Sequence, residues 1–201
     1  MDNSAGLADI KTRDKIGKKH QLFYPQVSFL DPTFTYSVDE YQTACGSADI
    51  FCHILETYFT LEDNFPMLDG VMESLMKDVI KYAPIAMKYP ENYEARANIM
   101  WAGMVAHNNI VGVGRSQDWN SHGIEHELSG LYDCAHGAGL AVIMPAWMKF
   151  VMKHDVMRFA QLANRVWGCS MDFQHPEITA KAGIQALKNF LRSIGMPLTL
   201  A

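Results

Sequence analysis

The stretch Gln117-Asp118-Trp119-Asn120-Ser121-His122-Gly123-Ile124-Glu125-His126-Glu127-Leu128-Ser129-Gly130-Leu131-Tyr132, followed by Asp133-Cys134-Ala135-His136-Gly137, decides how the chain is read. It predicts a helix from Gln117 to about Tyr132, a short break, and a second helix opening at His136. His122 and His126 are four apart, so a helix puts them on one face, one turn apart. His136 falls at a helix entrance, where Gly137 lets another group approach closely. A His-x3-His pair on a helix is a metal-ligand spacing, and a third imidazole ten residues on strengthens it.

Outward from this stretch the pattern stays helical. Ser37-Val38-Asp39-Glu40 has the form of a capping box and opens a helix to about Tyr58. That helix carries Asp49 and His53, again four apart, among Ala48, Ile50, Phe51, Cys52, Ile54 and Leu55. An ionised carboxylate among such neighbours needs a partner or a cation. Pro66 starts a helix to about Lys88, with Met67, Val71, Leu75 and Val79 at i, i+4 spacing. Pro90 and Glu91 open the next, to about Val111, before Gly112 and Gly114 break the chain. Downstream, the helix from His136 is expected to reach about His154, with Pro145 kinking or splitting it. Residues 155–167 and 176–194 give two more, and Gly195 followed by Pro197 is a stop signal. The count is about seven helices with no βαβ unit, repeat or low-complexity tract, so the class is mainly α. Residues 1–20, polar and charged, read as a tether or a fragment of something larger. Residues 21–36, aromatic and β-branched with internal prolines, read as short extended segments at an edge.

Composition narrows the function classes. Hydrophobic residues make up 49% of the 201 and charged ones 19%, against a usual ~25% charged, so a sizeable core is available and disorder is excluded. Lys and Arg total 17 against 22 Asp and Glu, a net charge of -5, which argues against nucleic acid and anionic membrane as partners. No apolar run approaches the ~20 residues of a spanning helix; the best, Gly139 to Met144, is cut by Pro145. Met1-Asp2-Asn3-Ser4 has no signal-peptide character. Cys45, Cys52, Cys134 and Cys169 form no CxxC pair and match no thiolate zinc site. They read as free thiols of a reducing, cytoplasmic compartment.

Taken together, Asp49, His53, His122, His126 and His136 favour a metal site over a polar core. A nitrogen-rich set with one carboxylate suits Fe2+ or Zn2+ rather than Mg2+ or Ca2+, and such an ion acts as a Lewis acid on an oxygen. His122-Gly123-Ile124-Glu125-His126 is not HExxH, because Glu125 directly precedes the second histidine, on a different face. Gly112-Val113-Gly114 lacks a third glycine and a preceding strand, so it is not a dinucleotide loop. GxSxG and P-loop motifs are absent. Two other readings stay open. One is a metal-dependent hydrolase, with His154-Asp155 resembling a phosphohydrolase pair. The other is a non-catalytic helical module with the histidines as polar core groups.

Gln117 to Gly130 and His136-Gly137-Ala138-Gly139-Leu140-Ala141 resemble the iron-containing (group III) alcohol dehydrogenases, most closely the butanol dehydrogenase-like branch. Ala48-Asp49-Ile50-Phe51-Cys52-His53 and Phe29-Leu30-Asp31-Pro32 are similar to the same family in the same order, so the resemblance covers nearly the whole chain. It implies the helical metal-binding domain of the two-domain dehydroquinate synthase-like, iron-type fold, with the N-terminal dinucleotide-binding α/β domain absent. On this reading residues 1–36 are a linker with short extended segments from the end of that absent domain; Met1-Asp2-Asn3-Ser4 even resembles an internal stretch. Residues 37–201 are the metal-binding, catalytic domain, truncated at its C-terminus.

The resemblance implies Asp49, His53, His122 and His136 as metal ligands, the last two fourteen residues apart as in the family. It places His126 just off the metal as a catalytic residue in proton relay. Lys15, by its distance from Pro25, matches a basic residue that contacts the cofactor. The implied reaction is hydride transfer between a primary, butanol-like alcohol and NAD(P), with Fe2+ or Zn2+ on the substrate oxygen. NAD(H) or NADP(H) would be bound mainly by the absent domain, the full-length protein would be a homodimer, and the isolated piece would be inactive.

Overall fold

The computed structural model describes residues 3–62 and 65–200. Met1 and Asp2, which open the segment likened to an internal family stretch, lie outside the described residues. Seven α-helices occur among the described residues, preceded by one two-stranded hairpin. They are α1 (Glu40–Tyr58), α2 (Pro66–Lys88), α3 (Tyr93–His107), α4 (Asn120–Tyr132), α5 (His136–Val151), α6 (Val156–Trp167) and α7 (Pro176–Ser193).

α1 is the central element. Thirteen of its nineteen residues are buried, so it behaves as a helix packed on nearly every side. Phe51, Ile54, Leu55 and Tyr58 meet Met72 and Met76 of α2 and Leu140, Met144 and Met148 of α5 in one continuous core. Leu162 of α6 and Leu187 and Leu191 of α7 extend that core, with Phe51 packed on Phe190 at 5.6 Å between ring centroids. The helix end nearest the core's polar edge is pinned by charge. Buried Asp69 of α2 accepts from Arg115 at 2.7 Å and from Arg158 of α6 at 2.6 and 2.7 Å, while Arg158 also donates to the Tyr58 carbonyl.

Helix boundaries follow local hydrogen bonding. α1 is capped by Asp39, which accepts from the Gln42 amide at 2.7 Å, rather than by Ser37 as the capping-box pattern suggested. α3 starts at Tyr93 because the Asn92 side chain accepts from Ala95, and the Pro90 carbonyl instead receives the Arg96 guanidinium. It ends at His107, well short of Val111, and Asn109 takes a left-handed backbone with φ 64°. α4 starts at Asn120 rather than Gln117, since the Gln117 side chain reaches back to Asn109 and Gly112. Pro145 does not split α5, whose inner face (Leu140, Ala141, Met144, Trp147, Met148) is buried along its length; α5 ends at Val151, followed by a 3-10 turn at Met152–His154.

The first 36 residues depart furthest from expectation. Between residues 3 and 20 the chain forms a hairpin: Ser4–Ala8 (β1) and Lys15–Lys19 (β2) pair antiparallel, with Ser4 opposite Lys19 and Gly6 opposite Gly17. Short, polar, glycine-bearing strands lack the alternation that would mark them. The hairpin docks on α4 through Arg13, which donates to the Leu131 carbonyl at 2.8 Å, and through Lys15, which donates to Ser129 at 2.8 Å. Gly130 makes that approach possible, since a Cβ there would lie 2.5 Å from the Arg13 carbonyl. Within 21–36 the chain forms 3-10 turns at Gln21–Phe23 and Pro32–Thr35 instead of edge strands. Asp31 caps the second turn, with Pro32 at its first position, where a missing amide costs nothing.

Candidate metal centre

Every buried residue of α4 is polar or ionisable: Ser121, His122, Glu125 and Ser129. A helix that turns such a stripe inward gains no hydrophobic energy from that face, so the stripe serves a site. Opposite it, α1 exposes part of its one incompletely buried face, which carries Asp49 and His53. The third wall is the start of α5. Gly137 lets that helix touch α1, because a Cβ there would collide with the Cys45 backbone. The close approach that glycine was expected to permit is this helix-to-helix contact, and it brings His136 to Asp49.

The result is a convergence on one atom. Nε2 of His53, of His122 and of His136 each lie 3.5 Å from Asp49 Oδ1. Donors sharing a tetrahedral ion at its usual bond length stand about 3.4 Å apart. Asp49 Oδ1 and His122 Nε2 are buried, and neither has a hydrogen-bond partner among the described residues. Buried polar atoms are normally satisfied, so the orphaned pair, aimed at each other's neighbourhood, fits a cation between them. Within 4.8 Å the donors sort into two triplets that share Asp49: Asp49 with His122 and His136, and Asp49 with His53 and His107.

Outer carboxylates orient two of the rings. Glu56 of α1 receives His122 Nδ1 and also the Ser121 amide, at 2.9 Å. Glu125 of α4 receives His136 Nδ1. Both glutamates are fully buried. A ring that donates from Nδ1 keeps its Nε2 lone pair for an ion. A Cβ on Gly139 would lie 2.6 Å from Glu125, so that glycine makes room for the carboxylate.

The electrostatics follow from this geometry. Burial alone would raise the Asp49 carboxyl, but the imidazoles of His107, His122, His53 and His136 outweigh it and hold Asp49 ionised, well below the usual range. His53 is pushed down to about 3, by burial first and by its three histidine neighbours next, against the pull of Asp49. Burial would lower His122 too, yet Asp49 and Glu56 win and lift it to about 9. A net-negative pocket that gathers a proton in this way would gather a divalent cation by the same attraction.

The residues that the family resemblance singled out all lie here. His126, on α4, has its ring 5.4 Å from that of His136, and burial, Lys15 and His136 lower its pKa. Lys15 sits 3.5 Å from His136 Nδ1 and 3.7 Å from Glu125. Three residues escaped that reading: His107 as a neighbour of Asp49, and Glu56 and Glu125 as ring holders. Asp49, His53 and Glu56 run i, i+4, i+7 along one helical stripe, which was the available signal. His154 and Asp155 join none of the metal-type clusters among the described residues; Asp155 caps α6 by accepting from the Arg158 amide at 3.0 Å. The four cysteines are unpaired thiols, Cys45 and Cys52 buried and the other two partly exposed.

In this mainly helical domain two histidine-bearing helices close over an Asp-x3-His helix. Residues 43–201 match the model of the Fe-containing alcohol dehydrogenase family, C-terminal domain, and the chain belongs to that family. It is 38% identical to NADH-dependent butanol dehydrogenase A of Clostridium acetobutylicum over 98% of this chain and 51% of that protein. It is 36% identical to the NADPH-dependent aldehyde reductase YqhD of Escherichia coli, over 94% of this chain and 49% of that protein. The crystal structure of NADH-dependent butanol dehydrogenase A from Thermotoga maritima superposes with a TM-score of 0.95 at 36% identity, covering 100% of this chain and 50% of that one. The chain therefore spans about half the length of the relatives it matches. No helix among the described residues is long and apolar enough to cross a membrane.

Proposed function

We propose that this chain carries the metal-binding half of an NAD(P)-dependent alcohol dehydrogenase or aldehyde reductase acting on a primary, butanol-like alcohol. The observation that supports it most is the meeting of three imidazole Nε2 atoms around one buried, unpartnered carboxylate oxygen. Fe2+ or Zn2+ held there supplies Lewis-acid polarisation of the substrate oxygen, and a nicotinamide cofactor supplies or takes the hydride. Asp49 is the anionic donor, and His53, His122 and His136 are neutral nitrogen donors. Glu56 and Glu125 fix the tautomers of His122 and His136 so that their Nε2 lone pairs face inward. His126, kept neutral by burial and by Lys15, is placed to take up the hydroxyl proton and pass it to solvent. Lys15, on the hairpin, is the residue of this chain assigned to the cofactor. The named relatives, which use NADH or NADPH, support the cofactor class. A soluble cytoplasmic enzyme that dimerises in its full length completes the reading.

Metal titration of the purified 201-residue chain tests it. One equivalent of Zn2+ or Fe2+ is expected to bind, and Asp49→Ala is expected to abolish tight binding. A chain that binds no metal, or an Asp49→Ala variant that binds like the parent, overturns the reading.

A further inference from the structure

We propose that the cavity between the end of α1 and the junction of α5 with α6 binds a small organic cation, an ammonium group carried on an aromatic or alkyl body. The inference stands apart from the metal centre and does not rest on the function proposed for it. Phe59, which lines the cavity, lies six residues beyond His53, roughly 9 Å further along the α1 axis.

The cavity holds about 290 Å³, the lower end of the range for small-molecule sites. Its apolar lining comes from Phe59, Trp147, Val151 and Phe159. Phe59 and Phe159 stack with centroids 4.1 Å apart, and Trp147 tilts against Phe59 at 6.1 Å. All three rings belong to the main core, so packing holds this lining in place.

The polar lining is acidic. Asp118 accepts from the Asn120 amide at 3.0 Å, and Asp155 from the Arg158 amide at 3.0 Å. Each carboxylate spends one oxygen on its cap, which leaves the second for a ligand. Ser116 and Thr60 also line the cavity, and both donate to Glu62, the Ser116 amide at 2.9 Å. Those bonds, the Ser116 hydroxyl's first and Thr60's next, pull the Glu62 carboxyl down to about 2, so a third negative charge stands beside the cavity. Among the described lining residues Arg158 is the only lysine or arginine. Its guanidinium is already committed to Asp69, at 2.6 and 2.7 Å, and to the Tyr58 carbonyl. His154 and Asp155, the pair that takes no part in the metal centre, both line this cavity.

The combination selects a ligand class. An anion would meet like charge, and a neutral hydrocarbon would cover the rings but strip water from carboxylates without replacing it. A cation with an apolar body answers both demands. Its body covers the rings, and its ammonium meets the carboxylates and the aromatic faces.

Fluorine NMR of the metal-free 201-residue chain labelled with fluorotryptophan tests this. Trp101, Trp119, Trp147 and Trp167 each give a resonance, and Trp147→Phe assigns the one at the cavity. Phenethylamine is expected to shift the Trp147 resonance saturably and leave that of Trp101 in place, whereas phenylacetate, of similar size and opposite charge, is expected to do neither. Asp118→Asn combined with Asp155→Asn keeps both amide caps and removes the charge, and should weaken phenethylamine binding by about tenfold or more. Each single variant is read as well, and the comparison of amine with carboxylate is made on the parent chain, so the test does not depend on the double variant folding. Equal shifts by the two probes overturn the proposal. So does a Trp147 resonance that millimolar phenethylamine leaves unmoved, a shift spread evenly over all four tryptophans, or an affinity that the folded asparagine variants leave unchanged.

Discussion

At the scale of single residues, the site depends on groups that never touch a substrate. Glu125 is fully buried and receives the Nδ1 hydrogen of His136, while Lys15 lies 3.7 Å away as its counter-charge. Glu125→Gln keeps the shape but removes the charge, leaving the ring less basic and Lys15 without its partner. Metal affinity is expected to drop about 10- to 100-fold with the fold retained, as isothermal titration would read; affinity equal to the parent's would show that Glu125 does not orient His136. The histidine cluster was legible from spacing, since helical period and residue type coincide at His122, His126 and the His136-Gly137 entrance, but the choice of ligands among them came only from the family resemblance. Glu125 was legible as a residue but not as a ring holder. Its partner lies eleven positions on, across a break whose geometry is set by Asp133 in a left-handed conformation with φ 54°. His107 was invisible for the same reason: nothing in a lone histidine at a helix end tells which neighbour folds over it.

At the scale of elements, helices whose signals were hydrophobic period plus proline or glycine punctuation fell where expected. α2 spans Pro66–Lys88 as read, and α7 stops before Gly195, whose φ is 74°. Ends governed by side-chain capping moved, as Asp39 and Asn92 show. What the helical pattern could not reveal is how α1, α2 and α6 are tied together at one end. Asp69 does this by accepting from both Arg158 and Arg115. Burial would raise its carboxyl, but the two guanidiniums hold it below its ordinary value. A carboxyl whose folded pKa is depressed stabilises the fold fully above its unfolded pKa of about 3.9 and loses that contribution as pH falls toward the folded one. The melting temperature of the parent should therefore decline on acidification below about pH 4. Asp69→Asn should be less stable at neutral pH by about 3–5 kcal/mol, the usual cost of breaking a buried pair, and its melting curve should be flatter through the acid range. Matching acid profiles for the two proteins would remove Asp69 from this role.

At the scale of the whole molecule, the distribution of apolar surface is uneven. The helical core is closed, but residues 22–34 carry a run of exposed side chains: Leu22 at 85%, Val27 at 69%, Phe29 at 89% and Phe34 at 83%. Patches of this kind drive association. The 201-residue chain is expected to self-associate at micromolar concentration, and a clean monomer by multi-angle light scattering would contradict that. The same segment was read as extended because its aromatic and β-branched residues favour strands. It forms 3-10 turns instead, since Asp31 and Pro32 together set up a capped turn that strand propensity cannot oppose without a partner strand.

The hairpin that precedes this segment rests on α4, and its Lys15 meets Ser129, Glu125 and His136 within a few ångströms. The β1–β2 hairpin is thus joined to the histidine cluster through a polar thread that bypasses the oily interior. Any displacement of the ribbon would be felt at Ser129 and Leu131 of α4 and at His136 together.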